Sequence, residues 1–110
     1  MSLDATIEQA RDLLAGFRAL SHRKMFGGAG LYAEGAMFAL VISDEIFLKA
    51  TGPFAEKLET LGSTPFIYDD KKGKPVQMSY WRVPESALDD PEEAIALAEE
   101  ALACAHQAKT

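Results

Sequence analysis

The sequence predicts an α+β fold, a single two-layer domain whose elements run α-β-β-β-α-β-β-α, with helices packed on an antiparallel sheet. Three observations carry this. Apolar residues recur at helical three-four spacing near both ends of the chain. Between them lie short β-like apolar runs joined by turn signals such as Glu34-Gly35 and Ser43-Asp44-Glu45. No repeat, linker or low-complexity tract divides the 110 residues, so residues 1–110 read as one domain.

A first helix is expected over Asp4–Leu20, with Asp4 as its cap. Ile7, Ala10, Leu13, Leu14 and Phe17 share one face, while Arg11, Asp12 and Arg18 fall on the other. Ser21-His22-Arg23 follows as a loop. Strand one covers Lys24–Ala33, bent by Gly27, Gly28 and Gly30, because glycine within a strand marks a bulge, a bend or a close approach. Glu34-Gly35 turns the chain into Met37–Ile42, where Phe38, Leu40 and Ile42 alternate with Met37, Ala39 and Val41. Ile46-Phe47-Leu48-Lys49 forms the third strand.

The second helix opens at Pro53, places Phe54, Leu58 and Leu61 on one face and closes at Gly62. Phe66–Tyr68 and Val76–Arg82 read as two strands joined by Asp69–Lys74, and Pro84 ends the sheet. The last helix has the clearest start. Asp90 caps, Pro91 sits in the first turn, and Glu93 is placed to bond back to the cap amide. Ile95, Ala98, Leu102 and Ala105 make one stripe, widened by Leu97, Ala101, Cys104 and Ala108. Cys104 is therefore expected to be a packing residue.

Composition narrows the function classes. With 48% hydrophobic and 25% charged residues, the chain can bury a core without disulfides or metal. No apolar run reaches the roughly 18 residues of a membrane span, and no basic segment leads an apolar one at the N-terminus. The single cysteine suits a reducing compartment, so a cytoplasmic location is expected. The net charge is −6. Seven acids between Glu85 and Glu100, with no Lys or Arg among them, form a solvated face that repels phosphate backbones.

No catalytic, cofactor-binding or metal-binding residue is assigned. Gly28-Ala29-Gly30-Leu31-Tyr32-Ala33 has the spacing of a dinucleotide fingerprint, but a strand and Gly35 follow where a helix N-terminus must receive pyrophosphate. Gly27, Gly28 and Gly30 are read as a structural segment. Cys104 and His106, two residues apart on a helix, point about 200° apart and cannot grip one ion together. Ser21-His22 adjacency is not nucleophile–base geometry, and folding alone decides whether Cys104 meets His22. The basic clusters are His22-Arg23-Lys24 and Lys71-Lys72-Gly73-Lys74, the latter preceding Tyr80-Trp81-Arg82. Lys71, Lys72, Lys74 and Trp81 are the candidate partner-binding surface.

Met25-Phe26-Gly27-Gly28-Ala29-Gly30-Leu31-Tyr32, Met37-Phe38-Ala39-Leu40-Val41 and Met78-Ser79-Tyr80-Trp81-Arg82-Val83-Pro84 together resemble the N-terminal domain of the TfoX/Sxy family. The resemblance covers Asp4 to His106. It implies an α+β domain without a cofactor or established catalytic residues, acting in regulators that promote transcription of competence genes alongside the cyclic-AMP receptor protein. Longer regulators of that family carry a second, C-terminal domain, and this chain is expected to be a stand-alone copy of the first.

Three functional readings follow. The leading one is a non-enzymatic regulatory or protein-interaction domain. It has a protein partner such as a transcription factor, no strong direct nucleic-acid binding and no membrane association, and a homodimer stays open. The alternative is a small-ligand or enzymatic protein with a pocket near Gly27–Gly30, using His22 or Tyr32. The third is a nucleic-acid binder whose hairpin lysines neighbour stacking aromatics.

Overall fold

The sheet is assembled from neighbours in sequence, with a single inversion at one edge. The computed structural model describes residues 2–25 and 27–108. Phe26, which belongs to the glycine segment, lies outside the described residues, as do Met1, Lys109 and Thr110. Helix α1 (Leu3–Leu13) leads into strands β1 (Ser21–Met25), β2 (Gly28–Ala33), β3 (Ala36–Ile42) and β4 (Glu45–Lys49). Helix α2 (Gly52–Thr60), strands β5 (Pro65–Asp69) and β6 (Pro75–Arg82), and helices α3 (Glu85–Leu88) and α4 (Pro91–Ala108) complete the chain. The six strands form one antiparallel sheet in the order β1-β2-β3-β4-β6-β5. The fold is α+β, as the sequence predicts, with one strand and one short helix more than expected.

The extra strand comes from the glycine segment. The chain does not bend through Lys24–Ala33 but reverses: Gly27 takes φ +77° in the turn, and Met25 pairs with Gly28. Ser21-His22-Arg23 is therefore strand, not loop. It lacks apolar alternation because β1 is an edge strand.

Helix α1 starts at Leu3, where the Ser2 hydroxyl accepts from the Ala5 N–H at 3.1 Å, so Ser2 and not Asp4 is the cap. It stops at Leu13, short of Leu20. Gly16 supports helix poorly, and the chain there passes so close to α4 that a Cβ would sit 3.3 Å from Ile95 Cδ1. Phe17 instead packs its ring 5.4 Å from that of Phe38.

A bulge decides which side of β3 is core. Leu31 pairs with Ala39 but Tyr32 with Met37, leaving Phe38 as the extra residue. Phe38 consequently joins Ala39 and Val41 on the helix side, while Leu40 and Ile42 share the opposite face with Met37. Strict alternation had placed Phe38 with Leu40 and Ile42.

The main core lies between this sheet face and the helices, with Leu31, Phe38, Val41, Leu48 and Leu58 buried against Ile7, Leu97, Ala98 and Leu102. At the start of α4, Asp90 Oδ1 accepts from the Glu92 and Glu93 N–H groups at 3.1 and 3.3 Å. The Glu93 carboxylate accepts from Ser86 Oγ at 2.8 Å rather than returning to the cap. The unforeseen α3 supplies that serine.

Candidate interaction surface

Helices cover one face of the sheet, and the other carries its own small apolar cluster. Leu40, Phe47 and Tyr80 are buried at its centre, with Met37, Ile42, Phe66 and Met78 packed around them. Alternation along β4 and β6 puts Phe47 and Lys49, and Met78, Tyr80 and Arg82, on this side. Lys49 Nζ lies 5.2 Å from the Tyr80 ring centroid, and the Arg82 guanidinium lies 5.1 Å from that of Phe47. Arg82 is further committed: its Nε meets Glu45 Oε2 at 2.7 Å, and its Nη1 donates to Thr64 Oγ1 at 2.6 Å. Burial, and then the neighbouring Tyr32, push the Tyr80 phenol up to about 12.

The β5–β6 hairpin projects from the same end of the sheet. Asp70 Oδ1 accepts from the backbone N–H groups of Lys72 and Lys74 at 2.8 and 2.9 Å, which shapes the turn. Lys71, Lys72 and Lys74 are exposed, and among the described residues their ammonium groups form no ion pair with a carboxylate. Trp81 does not share their surface. It is 7% exposed and faces the main core, because odd-numbered residues of β6 near its end turn toward the helices. Part of its ring lines a shallow depression of about 300 Å³ with Ala50, Ala55 and Gln77. Beside the hairpin, the edge strand β5 shows Ile67 and Tyr68 at 52% and 44% exposure.

The glycine segment lies toward the opposite edge, and at Gly28 and Gly30 its surroundings are full. A Cβ on Gly28 would stand 2.4 Å from the Val41 carbonyl oxygen, and one on Gly30 would stand 2.5 Å from Met37 Sδ. At these two positions the protein's own atoms fill the space beside the backbone. Nδ1 of His22 lies 2.9 Å from Arg11 Nη2. An arginine only donates, so that nitrogen is the acceptor and the ring proton sits on Nε2. Lys24 meets Asp4 at 2.8 Å, and its hydrogen bond and charge hold the Asp4 carboxyl below its ordinary value.

Cys104 is buried in the core while His106 Nε2 lies 3.1 Å from Glu34 Oε1, so the two point apart. A broader depression between α1 and α3, about 560 Å³, is lined by Glu8, Asp12 and Asp89 without a neighbouring base. Among the described residues no buried side-chain nitrogen or oxygen lacks a partner. No group of three or more metal-ligating side chains converges among them either. The acidic face is partly neutralised, Glu99 by Arg18 at 2.8 Å and Glu100 by Lys57 at 2.6 Å. No helix among the described residues is long and apolar enough to cross a membrane.

Sequence reasoning missed Lys49, Arg82, Ile67 and Tyr68 as surface features. For Arg82 the period-two pattern of residues 76–82 carried the signal. For Ile67 and Tyr68 no local signal existed, since exposure follows from β5 being last in the sheet order.

The TfoX N-terminal domain family matches residues 12–105. The chain is also 36% identical over 63 residues to the DNA transformation protein TfoX1 of Aliivibrio fischeri (strain ATCC 700601 / ES114). That match takes in 57% of this chain and 30% of the relative's length.

Proposed function

As the chain belongs to the TfoX N-terminal domain family, we propose that it is a non-enzymatic regulatory domain that works through protein contacts in the cytoplasm. Its effect on transcription would run through a DNA-bound partner protein. The observation that carries this is the engagement of Arg82 and Lys49. Both cations lie over aromatic rings of their own sheet, and Arg82 is also bound to Glu45 and Thr64. The Phe47 and Tyr80 rings are buried and Arg82 is held by Glu45 and Thr64, so none of these three is left to stack a base or take a phosphate, as single-strand binders require. The net charge of −6 opposes a nucleic-acid backbone as well. The surface proposed for the partner is the hairpin of Lys71, Lys72 and Lys74, which suits an acidic segment.

The filled space before Gly28 and Gly30 weighs against the ligand-pocket reading. The test is an anisotropy titration of labelled duplex and single-stranded DNA at physiological salt. Binding weaker than micromolar is expected. Sub-micromolar, salt-sensitive binding that disappears when Lys71, Lys72 and Lys74 are changed to Ala would overturn the reading.

A further inference from the structure

We propose that β5 is a self-association strand, through which two copies of this chain pair antiparallel about a two-fold axis at Ile67. The inference stands apart from the transcriptional reading and needs no partner protein. Strand β5 is last in the sheet order and has β6 on one side only, so its other side is an unpaired edge.

Hydrogen bonds fix which groups point outward. The Asp70 N–H donates to the Lys74 carbonyl at 2.8 Å, so Asp70 faces β6. The Ala50 N–H donates to the Ser79 carbonyl at 3.0 Å, which turns Ser79, and by alternation Gln77, toward β4. Ile67 lies opposite Gln77, and Tyr68 opposite Val76. Tyr68 therefore bonds to β6, while Ile67 and Asp69 direct their N–H and C=O groups away from it.

This edge is complementary to itself. With the axis at Ile67, the two Ile67 residues exchange N–H···O=C bonds, and each Asp69 N–H meets the other copy's Pro65 carbonyl. Pro65, lacking an N–H, leaves the reciprocal bond unmade. Phe66 falls opposite the other copy's Tyr68 at a non-hydrogen-bonded position, where side chains approach most closely. Within one chain the rings already form a ladder, Phe47 to Phe66 at 5.3 Å and Phe66 to Tyr68 at 6.2 Å. Pairing continues that ladder across the axis.

Burial points to the same place. The exposed large hydrophobics among the described residues are Leu61, Ile67 and Tyr68, in β5 and at the end of the helix preceding it. The antiparallel arrangement also sends the two lysine hairpins to opposite ends, so like charges do not meet. A second copy is favoured over an extended segment of another protein because the same residues satisfy both sides. One short strand buries little area, so a weak dimer with a dissociation constant of about 100 μM is expected.

Sedimentation equilibrium from about 10 μM to about 1 mM tests this around the expected dissociation constant. The mass should rise from one chain toward two in the wild type and stay at one chain in Ile67→Lys, with an unchanged melting curve because Ile67 is half exposed. Register is read by oxidation. Ile67→Cys should form a disulfide-linked dimer at least tenfold faster than Tyr68→Cys, whose copies are offset, with wild type controlling for Cys104. A wild type that remains one chain at the highest concentration would overturn the proposal. So would an Ile67→Lys variant that associates like wild type, or equal cross-linking of the two cysteine variants.

Discussion

The two edges of this sheet are built in opposite ways. Strand β1 carries Ser21-His22-Arg23-Lys24 and is tied to helix α1 by Arg11–His22 and Asp4–Lys24 contacts. Strand β5 carries Phe66-Ile67-Tyr68, and its apolar side chains reach solvent. Charge on an edge strand discourages pairing with another chain, and an apolar edge invites it. The interior differs in the same sense. Beside β1, backbone and methionine side chains fill the space before Gly28 and Gly30. At the β5 end the aromatic ladder ends at Tyr68, which is 44% exposed. One end of the sheet is closed by the chain itself, and the other is where a second molecule can add contacts.

The largest expected effect tests the closed end. Gly28→Val places a Cβ against the Val41 carbonyl, which belongs to a central strand and cannot move without moving the sheet. A loss of about 3 kcal/mol is expected, in the upper part of the usual range for point mutants. Gly30→Val meets the flexible end of Met37, so about 1–2 kcal/mol suffices. At Gly27 nothing lies within 4 Å, and only the positive φ opposes a side chain, which costs about 1 kcal/mol. Urea denaturation of the three variants should return that rank. Cys104, 8% exposed, supplies an independent reading: a thiol reagent should label it slowly in wild type and faster in Gly28→Val. Equal midpoints at Gly28 and Gly27 would show that close approach to Val41 does not close this end.

The next effect belongs to the aromatic cluster. Tyr80 has its phenol raised from 10 to about 12 because burial disfavours the phenolate. The sign follows: the unfolded chain loses this proton first, so the contribution is whole below pH 10 and falls as pH rises toward 12. Between pH 9 and pH 11 wild type should lose about 1.4 kcal/mol more than Tyr80→Phe. The difference between the two proteins cancels the other groups titrating there. Parallel pH profiles would mean that Tyr80 is solvated and that the helix-free face is open at its centre.

This comparison was only half legible in the sequence. Turn chemistry at Glu34-Gly35, the Asp90-Pro91 helix start and the apolar stripe of α4 are local signals, and each appears where the residues place it. The strand Ser21–Met25 was illegible because an edge strand that meets only the polar side of a helix needs no apolar alternation. The bulge at Phe38 was illegible for a related reason: both registers keep an apolar residue at every position of β3, so side-chain pattern does not choose between them. Trp81 reads as surface beside the hairpin lysines, yet a period of two sends it to the face opposite Tyr80 and Arg82. Which edge is open is a property of strand order, and no window of residues contains it.

The smallest effect concerns the tie between β1 and α1. The Lys24 ammonium, through its hydrogen bond first and its charge second, holds the Asp4 carboxyl below its ordinary value. Depression of a carboxyl means that its stabilisation is present above the unfolded value and disappears as pH falls through the lower folded value. Wild type and Lys24→Ala should therefore differ slightly in thermal midpoint near neutral pH and converge once acid has protonated the Asp4 carboxyl in the folded protein. Both groups are exposed, so added salt should shrink the difference through screening. Midpoints that stay apart at low pH, or that ignore salt, would assign the role of Lys24 to packing of its alkyl stem. The closed edge would then rest on strand pairing and on the Arg11–His22 contact, which a parallel Arg11→Ala series would isolate.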